Sequence, residues 1–473
     1  MTGTLIRKEF REFLRDRRFL VLFALMLVLL SAASLDGWNR ARSDAAARAH
    51  AAASDREIWV EQGENNPHGA AHFARYAFRP TPSLAAFDPG VFDFAGAAVW
   101  LEAHTQNPAA LRRAEDAAIA TPFPTLSAAW VIQVIGTLAL TVLLFQAVAG
   151  ERERGTLRAL AATGLSAGHF VAGKTGAVLL VVGGLCILIF LAVLLPGAMS
   201  GDLDAGAMRI ATLAASYLCA LTGFALIVVA ISARSRSQSA AFVLAIGFWV
   251  SVSVILPVIG GQLAASLHPD IDEQELKNAI QLEAQSPFWS GDAREPAVAA
   301  YEAEVLEEFG AARFEDLGFD REALVLQAHE EFANEVYDRL YGELYARHEA
   351  QDRVLRYLAI ASPVLALQRL SSGLAETDLT AQLRFTRQAE AHRRRIIEQL
   401  NRDMMMNAGE SGYAYTADRT LWEQIPDFQA EPVSTLEILE RYRIEILALL
   451  AWLLAGFILA IHLSGRAMKQ ERL

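Results

Sequence analysis

Apolar residues in this chain gather into six runs, at 19–35, 126–149, 170–195, 207–231, 240–262 and 444–463. Each is near the ~20 residues that cross a bilayer as a helix, the first being the shortest. Polar residues fill two long intervals, 36–125 and 263–443. The pattern predicts an all-α polytopic membrane protein: six transmembrane helices and two large insertions, the larger mostly helical. The chain divides accordingly into 1–35, 36–125, 126–262, 263–443 and 444–473.

Ahead of the first run, residues 5–18 place Ile6, Phe10, Phe13 and Leu14 on one helical face, with Arg7, Arg11, Arg15 and Arg18 beside it. A basic amphipathic helix of this kind lies in the membrane interface, or serves only as an anchor that sets topology. Ser31, Ala32, Ala33 and Ser34 have the small-residue character of a signal-peptidase site. The long, mixed-charge region before them suits a retained anchor better.

In the first insertion, residues 44–64 are Ala-rich and read as helix, while 65–124 mix Pro, Gly and aromatics as a folded, irregular module does. In the second, 272–285 and 295–309 are charged amphipathic stretches. Residues 321–360 carry Leu324, Ala328, Phe332, Val336, Leu340 and Leu344 at helical spacing, one packed face of a long helix. The apolar stretch 357–374 is interrupted by Pro363 and Arg369, so it reads as a buried or interfacial helix and not a seventh span.

Charge orients the assembly. Lys and Arg cluster before the first run, between the second and third (Arg152, Arg154, Arg158), between the fourth and fifth (Arg234, Arg236) and after the sixth (Arg466, Lys469, Arg472). With six spans all four clusters fall on one side, which the positive-inside tendency makes cytoplasmic, both termini included. The expected location is a bacterial cytoplasmic membrane, with lipid as a partner. The formal charge of −12 resides largely in the second insertion. Such a surface repels nucleic acid, which is therefore not an expected partner. The two cysteines, Cys186 and Cys219, lie inside spans, where burial as small apolar groups is the plain expectation.

The segment 150–174, GERERGTLRALAATGLSAGHFVAGK, interrupts two apolar runs with charge and glycine. Gly150 and Gly155 let the backbone leave one helix and begin another, Thr156 is placed to cap a helix over 157–162, and Gly164 to end it. A stubby helix between two spans can dock in a cleft and pass rigid-body motion to both. A solvated loop is the plainer alternative.

Glu151, Arg152, Glu153, Gly155, Thr156 and Leu157, followed by Ser166 and then Gly173 and Lys174, resemble the loop between the second and third spans of ABC-2 type transporter permeases. The resemblance implies that 150–164 is a coupling helix docking on an ATP-binding subunit, with Glu151, Glu153, Gly155, Thr156, Leu157 and Lys174 at matching positions. The N-terminal helix resembles that family's elbow helix. Gly164 and Leu165 stand where the family often has Pro. Stretches 66–80, 88–107 and 362–379, with 387–394 and 400–401 beyond, resemble the subgroup that carries the domain of unknown function 3526. The implied protein is a permease subunit of an ATP-driven exporter, not itself an enzyme. It would hold no cofactor, and ATP and Mg would be bound by the partner subunit. A second permease chain, identical or related, would complete the dimer. An alternative is transmission of force to an extracytoplasmic protein without transport through the spans.

Other motifs carry less. Residues 168–175 match G-x-x-x-x-G-K-T literally, yet no strand precedes them and a span follows, so phosphate binding is not expected. His68 and His72 are four apart, with His104 further on. Structural hydrogen bonding is the plainer reading and a shared metal the alternative. Met404, Met405 and Met406 point in different directions on a helix, which favours packing over copper binding. Gln133, Thr137 and Thr141 share a face of the second span and are candidates for lining a pathway or for bonding to a neighbouring helix. A membrane enzyme built on the histidines is a third reading, for which no nucleophile–base pair is present.

Overall fold

The computed structural model describes residues 2–73, 75–112, 126–200 and 206–471. An amphipathic helix, Thr2–Arg15, precedes the first span. Asp16 breaks the chain in extended conformation, and its carboxylate accepts from Arg18 N, capping the helix Arg17–Val60. That helix holds 44 residues, at ~1.5 Å rise about twice a ~30 Å hydrocarbon core. Residue 36 is thus no break. The Ala-rich half continues the span as a rigid arm, because nothing between 36 and 60 stops a helix.

The other five long apolar helices are Ala128–Glu153, Ala167–Leu188 (extending to Ser200), Ala207–Arg234, Gln238–Leu267 and Arg443–Gln470. All six are long and apolar enough to cross a membrane. The chain is an all-α polytopic membrane protein. Ser127 caps the second span by accepting from Trp130 N. Two spans carry wide turns in which the backbone bonds i to i+5, at Val131–Gly136 and at Ser251–Ile255. The second of these lies just before Pro257, whose missing N–H demands a local rearrangement of the ladder.

The fourth and sixth spans come into backbone contact where both carry glycine. A Cβ on Gly456 would lie 2.9 Å from Gly223 O, and one on Gly223 would lie 3.1 Å from Leu453 N. Small residues at such a crossing allow backbone-to-backbone packing.

Opposite the N-terminal helix, both insertions form one head. Its long members are Arg294–Phe309, Arg321–Leu358, Pro363–Leu374 and Leu379–Asn407. The 357–374 stretch is indeed a buried helix of 12 residues, Pro363–Leu374, and not a span. The irregular module contributes a short helix, Pro67–His72, and two strands, Arg75–Phe78 and Ala98–Leu101, paired antiparallel with Arg75 opposite Leu101. This ribbon is a small exception to an otherwise helical fold. Its density of β-branched and aromatic residues suits a half-buried strand.

The two insertions share a core: Trp59, Val99 and Leu101 from the first pack with Phe385, Ile396, Leu400 and Trp422 from the second. Trp59 Nε1 donates to Trp422 O at 3.0 Å. The two insertions are thus one body and not two, joined by a core whose partners lie too far apart in the chain to leave a local pattern.

Candidate functional site

The break between the second and third spans begins where Ser232 Oγ of the fourth span accepts from Val148 N and Ala149 N, at 3.0 and 3.1 Å. A short helix, Ala149–Glu153, leads to Gly155, whose φ of +73° is left-handed and suits glycine alone among common residues. The next helix, Thr156–Ala162, closes at Gly164, again left-handed. One expectation is corrected here. The N-cap is Gly155, not Thr156, whose hydroxyl turns back and donates to the Glu151 carboxylate. The hydroxyl proton goes to the Glu151 carboxylate, a charged acceptor, while Gly155 in its left-handed conformation starts the helix without a side-chain cap.

Of the matching residues, Glu151, Leu157 and Lys174 are buried, while Glu153, Gly155 and Thr156 are exposed. Leu157, Ala161 and Leu165 point into the span core. Arg154, Arg158, Ala159, Ala162 and Thr163 form the outward face. Glu153 accepts from Gln238 N and Gln238 Nε2 at 2.7 and 2.8 Å, holding the start of the fifth span. Arg152 donates to the carbonyls of Ser235 and Ala233 at the end of the fourth.

Beneath the segment lies a charge cluster. Lys174 Nζ sits 2.6 Å from Glu151 Oε1 and 2.8 Å from Glu9 Oε1. Lys8 Nζ approaches Glu151 at 3.5 Å. Glu9, Glu151 and Lys174 are each under a tenth exposed. With Glu12 beside Lys8 at 3.2 Å and Arg154 3.9 Å from Glu151, three carboxylates face three cations, and such balance is the condition for keeping Glu9, Glu151 and Lys174 out of water. The cluster ties the N-terminal helix, the inter-span segment and the third span together. Glu9 joins these partners from a distant helix. Its signal was an acid lying among Ile6, Phe10 and Phe13, where an amphipathic helix should be apolar. Lys174, within the literal phosphate-loop match, is committed to these carboxylates, and residues 168–175 lie inside the helix Ala167–Ser200.

Gln133, Thr137 and Thr141 are all buried. Thr137 Oγ1 donates to Gln133 O at 2.7 Å, and Thr141 Oγ1 donates to Thr137 O at 2.8 Å. Gln133 Nε2 donates to Tyr217 Oη of the fourth span at 2.6 Å. Trp249 Nε1 of the fifth donates to Thr137 Oγ1 at 3.1 Å. These groups are spent on helix packing. Gln133 alone also reaches a cavity of about 710 Å³ between the spans and the head, lined among others by Asp88, Trp130, Asp352, Arg369 and Tyr442.

The head is joined to the sixth span there. Arg369 donates to Asp352 at 2.7 and 2.9 Å and, through Nε, to the fully buried Glu445 at 2.8 Å. Within the head, His68, His72 and His104 converge. Met404 and Met405 are buried in the core and Met406 is exposed, so the three methionines form no common site.

A family model described as a domain of unknown function, DUF3526, matches residues 274–431. The match covers most of the second insertion and none of the six spans. No curated protein matches the chain, and no solved structure does.

Proposed function

We propose that this chain is the permease subunit of an ABC-2 type ATP-driven exporter in a bacterial cytoplasmic membrane. Both termini and the 150–164 segment face the cytoplasm, and the head lies outside. A separate subunit binds ATP and Mg²⁺ and docks on the outward face of Thr156–Ala162. A second permease chain completes the complex. This chain makes and breaks no bonds.

The observation that carries the reading is the buried Lys174–Glu151–Glu9 cluster under an exposed short helix. A push on Arg158 or Thr163 reaches the third span and N-terminal helix through that cluster. It reaches the fourth and fifth spans through Arg152, Glu153 and Ser232. The matched 274–431 segment supports the subgroup resemblance. The fully bonded Gln133, Thr137 and Thr141 and the Arg369–Glu445 joint favour a second reading, in which the motor drives the head against an extracytoplasmic partner and nothing crosses the spans.

The test is to purify the tagged chain from its native membrane in mild detergent. A co-purifying ATP-binding polypeptide with ATPase activity supports both readings, and vesicle uptake separates them. A preparation devoid of ATPase under conditions that preserve other complexes of that membrane contradicts both.

A further inference from the structure

Three imidazoles in the head aim the same nitrogen at one point. His68 Nε2 lies 3.3 Å from His72 Nε2 and 3.2 Å from His104 Nε2. A tetrahedral Zn²⁺ with Zn–N bonds of ~2.0–2.1 Å sets neighbouring ligand nitrogens about 3.3 Å apart. The spacing is that of one edge of such a tetrahedron.

Protons decide whether hydrogen bonds alone explain it. Gln327 Nε2 donates to the Glu331 carboxylate at 2.7 Å, so its Oε1 faces Asn401 and accepts from Asn401 Nδ2 at 2.9 Å. Asn401 therefore presents Oδ1 to His68 Nδ1, at 3.0 Å. An amide oxygen only accepts, so the His68 proton is on Nδ1 and its Nε2 carries a lone pair. His104 Nδ1 faces the Glu330 carboxylate at 2.8 Å and, further off, His329 Nδ1 at 3.1 Å; a carboxylate only accepts, so the His104 proton is on Nδ1. Two lone pairs then confront each other across 3.2 Å.

We infer that His68, His72 and His104 bind one divalent transition-metal ion, zinc by the donor set, through their Nε2 atoms. Three imidazoles suit Zn²⁺ and leave the fourth position to water or an incoming ligand. The partners of the far nitrogens are those a metal-bound histidine requires: an amide oxygen behind His68, and a carboxylate pinned by the buried Arg393 (Arg393 Nη1 to Glu330 Oε2, 3.0 Å) behind His104. His72 is exposed and opens the site to solvent. All three ligands come from the first insertion and both supports from the second. The ion would fasten the two insertions together on the head, a role beyond the coupling reading and independent of it.

The experiment uses the full chain in detergent, stripped with chelator and titrated with ZnCl₂ in a calorimeter. Co²⁺ serves as an optical probe of tetrahedral nitrogen coordination. One equivalent of Zn²⁺ should bind, and a Co²⁺ visible spectrum should appear and be displaced by Zn²⁺. The exposed ligand gives the safest variant, and His72→Gln should weaken binding at least tenfold while the protein stays monodisperse. Asn401→Leu should weaken it by about 10–100-fold with all three ligands still present. Absence of stoichiometric binding by the wild type, or equal affinity in His72→Gln, overturns the inference.

Discussion

Lys174 Nζ lies 2.6 Å from Glu151 Oε1, and the two residues are separated by 23 positions in the chain. That bond crosses from the third span to the segment before it, with Glu9 of the N-terminal helix as the second acceptor. Replacing Lys174 with Met leaves two buried carboxylates facing each other. The expected cost is about 3–5 kcal/mol, read as a lowered unfolding temperature in detergent. Adding Glu151→Gln and Glu9→Gln should restore much of it, since the charges that need a partner are then gone.

Arg158 contributes nothing to that cluster and stands on the outward face. Arg158→Glu should change stability by no more than ~0.5 kcal/mol, as surface substitutions usually do. It should nonetheless reduce the ATP-binding subunit recovered with the chain. Equal recovery would place the docking surface elsewhere.

The crossing of the fourth and sixth spans is set by Gly223 and Gly456. Gly456→Val forces a side chain against Gly223 O and should cost about 1–3 kcal/mol through overpacking. Gly247, with no neighbour around its Cβ position, is the control, and Gly247→Ala should leave the unfolding temperature unchanged or raise it slightly.

His392 gives a pH dependence of known sign. Burial, then Arg395 and Arg75, push its imidazole down to about 4, against weaker support from the Pro426 backbone and Asp427. The unfolded chain takes up this proton near 6.5 and the folded chain only near 4, so stability falls as pH drops through that window. With chelator present, His392→Leu should flatten the slope by up to one proton, about 1.4 kcal/mol per pH unit at most. An unchanged slope would show that His392 is protonated in the fold.

Span positions were legible because bilayer thickness imposes a length that composition alone satisfies, and the long helix Arg321–Leu358 was legible from one apolar stripe. The short helix between spans was legible from glycine, though its cap was not. Only the fold reveals that the Thr156 hydroxyl donates to Glu151, to its carboxylate and its carbonyl, and does not cap the helix. The Glu9–Lys174 and Arg369–Glu445 pairs were hidden because charge partners far apart in sequence leave no periodicity. His104 lies 36 residues from His68, so spacing suggested the first pair of the histidine cluster and could not close the third corner.

The most direct measurement places a photo-crosslinking amino acid at Arg158 in native membranes, with Leu436 on the head as the control position. After irradiation, the adduct is identified by mass spectrometry. Motor coupling predicts an ATP-binding subunit joined at position 158 and absent at 436. An ATPase captured equally at both positions, or at neither while the chain remains intact in its membrane, would contradict it.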